Sequence, residues 1–156
     1  MQRSNHMDNE FLMFDTVSEV YDFICQKCND GEDISALNSD ERIIYIVQTL
    51  EQEVNGGGFD QYFYNSSGDL ANEAVAALIT IGAKKTAKIC QKALKVFGGS
   101  LPTDRVERQE FMDKKSNSRT EAKLEKCDNA FYEYQDSIER LCYEFIEENC
   151  GSFNYN

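Results

Sequence analysis

The sequence predicts an all-α fold, a compact bundle of several helices joined by short glycine-rich turns. Apolar residues recur at spacings of three and four, and alternation at period two is never sustained, so no strand is predicted. One proline and nine glycines fall almost entirely between the periodic segments. At 156 residues the chain has the size of one domain. A single helical domain is therefore expected over residues 1–156, with residues 1–14 forming a flexible or loosely packed N-terminal segment.

The first third of the chain predicts two capped helices. Thr16 and Glu19 have the spacing of a capping box, and apolar positions at helical spacing follow over residues 17–28. Either Asn38 with Glu41, or Ser39, is suited to cap the second helix. Its inward face is predicted to consist of Ile43, Val47, Leu50 and Val54.

The middle of the chain predicts shorter helices. The glycine run 56–58 is expected to end the second helix, and an aromatic segment of two helical turns follows over residues 59–65. Two further helices, Leu70 to Ile81 and Ala83 to Phe97, are expected to form a hairpin. In the first of these, Val75, Leu78 and either Ile79 or Ile81 are expected to point inward. A short helix from Pro102 to Met112 and a polar loop over residues 114–119 complete this part.

The C-terminal part has the clearest periodicity. Apolar residues follow one another at alternating spacings of three and four over three heptads, which predicts one amphipathic helix. This face packs either on the protein's own core or on a second chain. Its members are Leu124, Cys127, Phe131, Tyr134, Ile138, Leu141 and Phe145.

The charge is strongly negative and unevenly distributed. The net charge is −12 and the isoelectric point is about 4.5. Residues 1–60 carry 13 acidic and 3 basic side chains, residues 61–120 carry 6 and 10, and residues 121–156 carry 9 and 3. Such a field disfavours direct binding to nucleic acid or to anionic lipid, because phosphate binding requires cationic groups. It favours basic partners, or it serves solubility.

Catalytic and metal-binding chemistry has little support in the sequence. His6 is the only histidine, which leaves no Ser-His or Cys-His pair elsewhere and no Glu-x-x-His di-metal pattern. Six cysteines without an export signal are expected to be reduced thiols, and the Cys25-x-x-Cys28 pair lies in a helical pattern. No stretch is apolar enough to cross a bilayer. We therefore expect a cytoplasmic protein with no cofactor, no metal and no membrane contact.

One segment interleaves amides and aromatics between Asn55 and Asp69. Read as a ligand site, it offers Asp60, Gln61 and Asn65. Read structurally, its amides cap helix ends and satisfy backbone groups at a tight helix junction, and its glycines form the turn. The structural reading is favoured.

The same segment resembles a known family. The stretch E-V-N-G-G-G-F-D-Q-Y-F-Y-N-S-S-G-D-L from Glu53, with A-V-A-A-L-I-T-I-G-A-K-K-T-A from Ala74 and P-T-D-R-V-E-R-Q-E from Pro102, is similar to the DNA-mimic-protein-like domain family, over roughly residues 39–149. The third glycine, Gly58, departs from the family pattern. The motif residues are Asn55, Gly56, Gly57, Phe59, Asp60, Gln61, Phe63, Asn65 and Gly68. We expect them to be mainly structural.

The resemblance implies an all-helical bundle that is often dimeric, without a cofactor or an established enzyme activity. In the namesake of the family, an acidic surface imitates the phosphates of duplex DNA and sequesters a DNA-binding transcription factor. Carboxylates four apart on a helix lie about 6 Å apart along its axis, which is of the same order as neighbouring phosphates. The candidate partner-binding residues of this chain are Asp15, Glu19, Asp22, Glu133, Asp136, Glu144 and Glu147.

Three functions follow as hypotheses. The preferred one is a noncatalytic protein whose acidic face binds a basic DNA-binding protein in transcription regulation. The second is a protein-binding or inhibitor module that uses Phe59 to Asn65, and the third is a small enzyme with a site near Asp60. Arg140 and a stripe of lysines weaken the DNA-mimic hypothesis, because they add positive charge. The lysine stripe is interpreted as a solvated face, a weak anion patch, or a surface that meets acidic residues of a second chain in a homodimer. The stripe consists of Lys84, Lys88, Lys92 and Lys95.

Overall fold

Seven α-helices and three short 3₁₀ helices make up residues 16–155, the part of the chain that the computed structural model describes, and no strand occurs among these residues. The all-α prediction is confirmed, whereas the segment 1–14 lies outside the described residues. The 3₁₀ helices are Ile34–Ala36, Ser66–Glu73 and Cys150–Phe153. The α-helices are α1 (Val17–Lys27), α2 (Ser39–Tyr64), α3 (Ala74–Thr80), α4 (Lys84–Lys95), α5 (Arg105–Lys115), α6 (Ser118–Tyr132) and α7 (Ile138–Glu148).

The helices belong to two compact units. Among the described residues, the terminal unit contains 16–45 and 138–155, and in it α1 packs against α7. The central unit contains residues 46–137, and in it α3 packs against α4 and α4 packs against α6. The packing of α3 on α4 is the helical hairpin that the sequence predicts.

Both predicted caps form. The hydroxyl of Thr16 accepts a hydrogen bond of 3.2 Å from the backbone N–H of Glu19 at the start of α1. At the start of α2, the Asn38 side chain accepts from the Glu41 N–H, and the Glu41 carboxylate accepts in return from the Asn38 N–H. The side chain of Glu41 is wholly buried, and the Lys27 ammonium lies 2.7 Å from it. A buried carboxylate therefore has both hydrogen-bond donors and a counter-charge.

The glycine run interrupts α2, as the sequence predicts. Gly57 and Gly58 have non-helical backbone angles, so α2 consists of two helical segments joined at a kink, and the aromatic segment forms the second of them. Gly58 has φ +77° and ψ −178°, a conformation almost restricted to glycine. The inward face of α2 differs by one position from the prediction. Ile44 is fully buried and Ile43 only half-buried, while the buried positions Val47, Leu50 and Val54 agree with it.

The prediction of one long C-terminal helix is wrong. Helix α6 ends at Tyr132 and α7 begins at Ile138, because Tyr134 takes a left-handed conformation with φ +48° that no continuous helix accommodates. Tyr134 is 40% exposed, whereas most of the other residues of the seam are buried. The buried members are Leu124, Cys127 and Phe131 in the central unit and Ile138 and Phe145 in the terminal unit.

Two other boundaries differ from the prediction. The segment from Leu70 begins as the 3₁₀ helix Ser66–Glu73 and becomes α-helical only at Ala74. Of the two isoleucines that were predicted as alternatives for the inward face, Ile81 is buried and Ile79 is 53% exposed. The polar loop after α5 is only two residues long, because the side chain of Asn117 caps α6. Within residues 16–155, no helix combines the length and the apolar character that crossing a membrane requires.

Candidate functional site

The negative charge is concentrated in the terminal unit. Its described residues, 16–45 and 138–155, include eleven acidic and three basic side chains, a net charge of −8. The central unit, residues 46–137, includes fourteen acidic and twelve basic side chains, a net charge of −2 over almost twice the length. A cationic partner is therefore attracted mainly to the terminal unit.

Four predicted partner-binding residues lie on two helices that pack together in the terminal unit. Glu19 and Asp22 are exposed on α1, and Glu144 and Glu147 are exposed on α7. We call these four side chains the acidic surface. Arg140 reaches Glu144 only at 3.8 Å, with both side chains more than half exposed, so it neutralises this surface weakly. Two segments from opposite ends of the chain thus contribute carboxylates to one unit.

The other predicted acidic residues lie elsewhere. Glu133 is exposed in the central unit and accepts a hydrogen bond from Gln135. Asp136 is half-buried, and its carboxylate accepts from both the backbone N–H and the hydroxyl of Thr86, at 2.7 and 2.9 Å. These contacts cap the start of α4, so Asp136 has a structural task in the central unit. Asp15 lies outside the described residues.

The aromatic residues of the family motif are core residues. Phe59, Tyr62 and Phe63 are at most 1% exposed. The Phe59 ring meets the Phe131 ring edge to face with centroids 5.9 Å apart, and its backbone N–H donates to Asp128 at 2.8 Å. Tyr64 is the one aromatic side chain of residues 59–65 that is partly exposed. The segment therefore offers a partner little aromatic surface, which weakens the hypothesis of an aromatic binding module.

The amides of the motif are hydrogen-bonded at the kink of α2. Gln61 and Asn65 donate to the same carboxylate oxygen of Glu53, at 3.1 and 3.3 Å. The Asn55 amide donates to the hydroxyl of Tyr134 at 2.7 Å. The Gln61 side chain lies so close to Gly56 and Gly57 that a Cβ on Gly57 would overlap it. These contacts support the structural reading of the motif.

A buried arginine that the sequence reasoning did not single out holds the end of α2. Arg108 is 0% exposed and donates from Nε to the Phe63 carbonyl at 2.6 Å and from one terminal nitrogen to the Asn65 carbonyl at 2.9 Å. The Asp69 carboxylate accepts from the same nitrogen at 2.7 Å. Gly68 permits this approach, because a Cβ there would overlap the Phe63 carbonyl. The burial of Arg108 was predictable only from its position four residues before the apolar Met112, which places both residues on the inward face of α5.

Asp60, on which the enzyme hypothesis depends, lies near other acidic groups. Burial, and then the charges of Glu121 and Asp113, raise the pKa of Asp60. Burial also raises the pKa of Asp128, although its hydrogen bond from the Phe59 N–H acts in the opposite direction. Asp60 is nonetheless exposed, and no His, Cys, Asp or Glu side chains of residues 16–155 form a group of three suited to a metal ion.

None of the six cysteines forms a disulfide, and four of them are thiols whose pKa is raised by burial. Burial raises the pKa of Cys25, Cys28 and Cys127, and it raises the pKa of Cys90 to about 12. At neutral pH these sulfurs stay protonated, so they are weak nucleophiles and weak metal ligands.

Comparison with known proteins decides the family. The sequence model of the family described as DMP19-like protein matches residues 35–149, about three quarters of the chain. The chain belongs to the DMP19-like family. No curated protein and no solved structure matches it.

Membership adds a functional context to the geometry. The DMP19-like family is a family of DNA-mimic proteins, which agrees with the resemblance read from the motif around Gly56–Gly57. The match covers all of the central unit and ends at Asn149, just after α7. Among the acidic-surface residues, Glu144 and Glu147 lie inside the DMP19-like match, and Glu19 and Asp22 precede it.

Proposed function

We propose that this protein is a noncatalytic DNA mimic whose acidic surface binds a basic DNA-binding protein, such as a transcription factor, and withholds it from DNA. Membership of a DNA-mimic family supports the class of function. The observation that carries the proposal for this chain is the net charge of −8 in the described residues of the terminal unit, 16–45 and 138–155, with exposed carboxylates on both α1 and α7.

The spacing of the carboxylates suits a phosphate-binding partner. Glu19 and Asp22, like Glu144 and Glu147, are three residues apart, which corresponds to about 4.5 Å along a helix axis. Phosphates on one strand of duplex DNA follow each other at about 3.4 Å along the axis. Lysine and arginine side chains are flexible enough to bridge this difference. A protein surface that binds phosphates through such side chains therefore finds acceptors at similar intervals here.

The proposal sets the cellular context as well. We expect such a protein to act in the cytoplasm, and this function needs no contact of its own with nucleic acid or membrane. Binding through the acidic surface does not require a homodimer, although it is compatible with one.

The proposal is tested by capture and competition. The immobilised protein is incubated with an extract of its native cells at low salt, and bound proteins are eluted with rising salt. We expect a basic DNA-binding protein that elutes steeply with salt and is also released by duplex DNA. In a gel-shift assay, the free protein should then remove that partner from its DNA. Binding that resists salt, or a partner that holds DNA and this protein together, contradicts the proposal.

A further inference from the structure

A groove between α4 and α6 combines an apolar floor with lysines in the central unit. Its volume is about 330 Å³, which is within the range of small-molecule pockets. Helix α4 contributes Ile89, Lys92 and Val96, and helix α6 contributes Lys123, Lys126, Cys127 and Ala130. The spacings are three and four on α4 and three, one and three on α6, so each set lies on one face of its helix.

The floor of the groove is apolar and chemically quiet. Ile89 and Val96 are half-buried, and Cys127 is 8% exposed. Burial raises the pKa of the Cys127 thiol, so the sulfur presents a neutral, polarizable surface at pH 7. Ala130 has only a methyl group where a longer side chain would fill the space between the two helices. Such a floor favours a hydrocarbon over a polar ligand.

The lysines give the groove a positive charge, opposite in sign to the net charge of the whole chain. Lys92, Lys123 and Lys126 are exposed, and none of them forms an ion pair with a carboxylate among residues 16–155. Although the net charge of the chain is −12, these three lysines give the rim of the groove a local positive charge. A ligand that satisfies both features has an apolar body and one anionic head.

We propose that this groove binds a small amphipathic carboxylate of the medium-chain fatty-acid class. Its hydrocarbon chain lies on Ile89, Val96 and Ala130, and its carboxylate lies among the ammonium groups of the three lysines. This inference rests on the central unit and is independent of the DNA-mimic proposal, which rests on the acidic surface.

A titration with three probes tests the proposal directly. Sodium decanoate is added to the full-length protein, below the concentration at which it forms micelles, and binding is followed by calorimetry. We expect saturable binding of one decanoate, and much weaker binding of butyrate and of decyltrimethylammonium, which lack the long chain and the negative head respectively. Equal binding of decanoate and decyltrimethylammonium, or no saturation with decanoate, overturns the proposal.

Matched variants locate the site. Ala130→Leu fills the groove and should abolish decanoate binding, whereas Ala122→Leu, at an exposed position of the same helix, should not. The double change Lys123→Gln and Lys126→Gln should weaken binding about fivefold. The double change Lys84→Gln and Lys88→Gln removes the same charge from exposed positions outside the groove and should leave binding unchanged.

Alkylation of the wild-type protein provides a readout that needs no variant. Saturating decanoate should slow the reaction of Cys127 with iodoacetamide, measured by peptide mass spectrometry. The half-buried Cys25 of the terminal unit should react at an unchanged rate. Unchanged alkylation of Cys127, or equal protection of both thiols, contradicts binding in this groove.

Discussion

The guanidinium of Arg108 lies 2.7 Å from the carboxylate of Asp69, with the arginine side chain wholly buried and the aspartate side chain 36% exposed. The same guanidinium also donates to the carbonyls of Phe63 and Asn65, where the kinked helix ends. One arginine thus stabilises the end of α2 and the start of the 3₁₀ helix Ser66–Glu73. Arg108, which lies on α5, therefore stabilises the family motif at the end of α2 from another helix.

Replacement of Arg108 by methionine should lower the stability of the protein substantially. Arg108→Met keeps much of the volume, but it leaves buried carbonyls without a donor and removes one cation from Asp69. We expect the free energy of unfolding in urea to fall by about 3 kcal/mol. Arg105→Met is the control, because Arg105 pairs with Asp69 at 43% exposure and its loss should cost below about 1 kcal/mol. Equal costs for the two variants would show that burial of Arg108 has no special role.

Alanine at Gly58 should be more costly than alanine at another left-handed glycine. A Cβ on Gly58 would overlap the carboxylate of Asp128, which itself accepts from the Phe59 N–H. Gly99 has φ +104° with open space around it, so Gly99→Ala measures backbone strain alone. We expect losses in unfolding free energy of about 3 kcal/mol for Gly58→Ala and about 1 kcal/mol for Gly99→Ala. If both variants lose the same stability, the contact with Asp128 does not explain the glycine.

Asp69 should stabilise the protein above about pH 4 and lose this effect in acid. Burial opposes ionisation of this carboxyl, but hydrogen bonds from Arg105 and Arg108 prevail and lower its pKa. Because the folded pKa lies below the unfolded value of about 3.9, the stabilisation is complete above that value and disappears as the pH falls through the folded pKa. Urea unfolding from pH 7 to pH 2 should therefore show wild type and Asp69→Asn converging below about pH 4. A difference that widens in acid contradicts this assignment.

Asp60 should show the opposite pH dependence. Burial and the charges of Glu121 and Asp113 raise its pKa, so the ionised carboxylate costs stability above its folded pKa, and protonation removes the cost. Asp60→Asn should stabilise the protein at pH 7 by a few tenths of a kcal/mol, since the exposed side chain is screened by solvent. The gain should vanish as the pH falls towards 4. A variant less stable than wild type at pH 7 would show that the carboxylate makes a favourable contact instead.

The sequence predicted the features that depend on local chemistry. The caps at Thr16 and Asn38 form because serine-, threonine- and asparagine-type side chains satisfy the first free N–H groups of a helix wherever it lies. The break at Tyr134 was missed because a left-handed conformation at a non-glycine residue depends on tertiary contacts, here the hydrogen bond that its hydroxyl accepts from the Asn55 amide.

The candidate site was predictable only in part. Counting carboxylates at helical spacing found Glu144 and Glu147, which are exposed, but it also selected Asp136, whose contacts with Thr86 appear only when α4 is in place. Arg108 was missed because arginine is seldom fully buried, and a single sequence does not reveal which carbonyls will surround it.

The most direct measurement compares the affinity of the captured DNA-binding partner for two variants with the same net charge. In the first variant the acidic surface is neutralised by Glu19→Gln, Asp22→Asn, Glu144→Gln and Glu147→Gln. In the second, four exposed carboxylates of the central unit are neutralised by Glu107→Gln, Glu110→Gln, Glu121→Gln and Glu125→Gln. We expect the first variant to lose about thirtyfold in affinity and to show a shallower salt dependence, and the second to stay within about threefold of wild type. Equal losses in the two variants would mean that total charge, and not the acidic surface, governs binding, and would contradict the account.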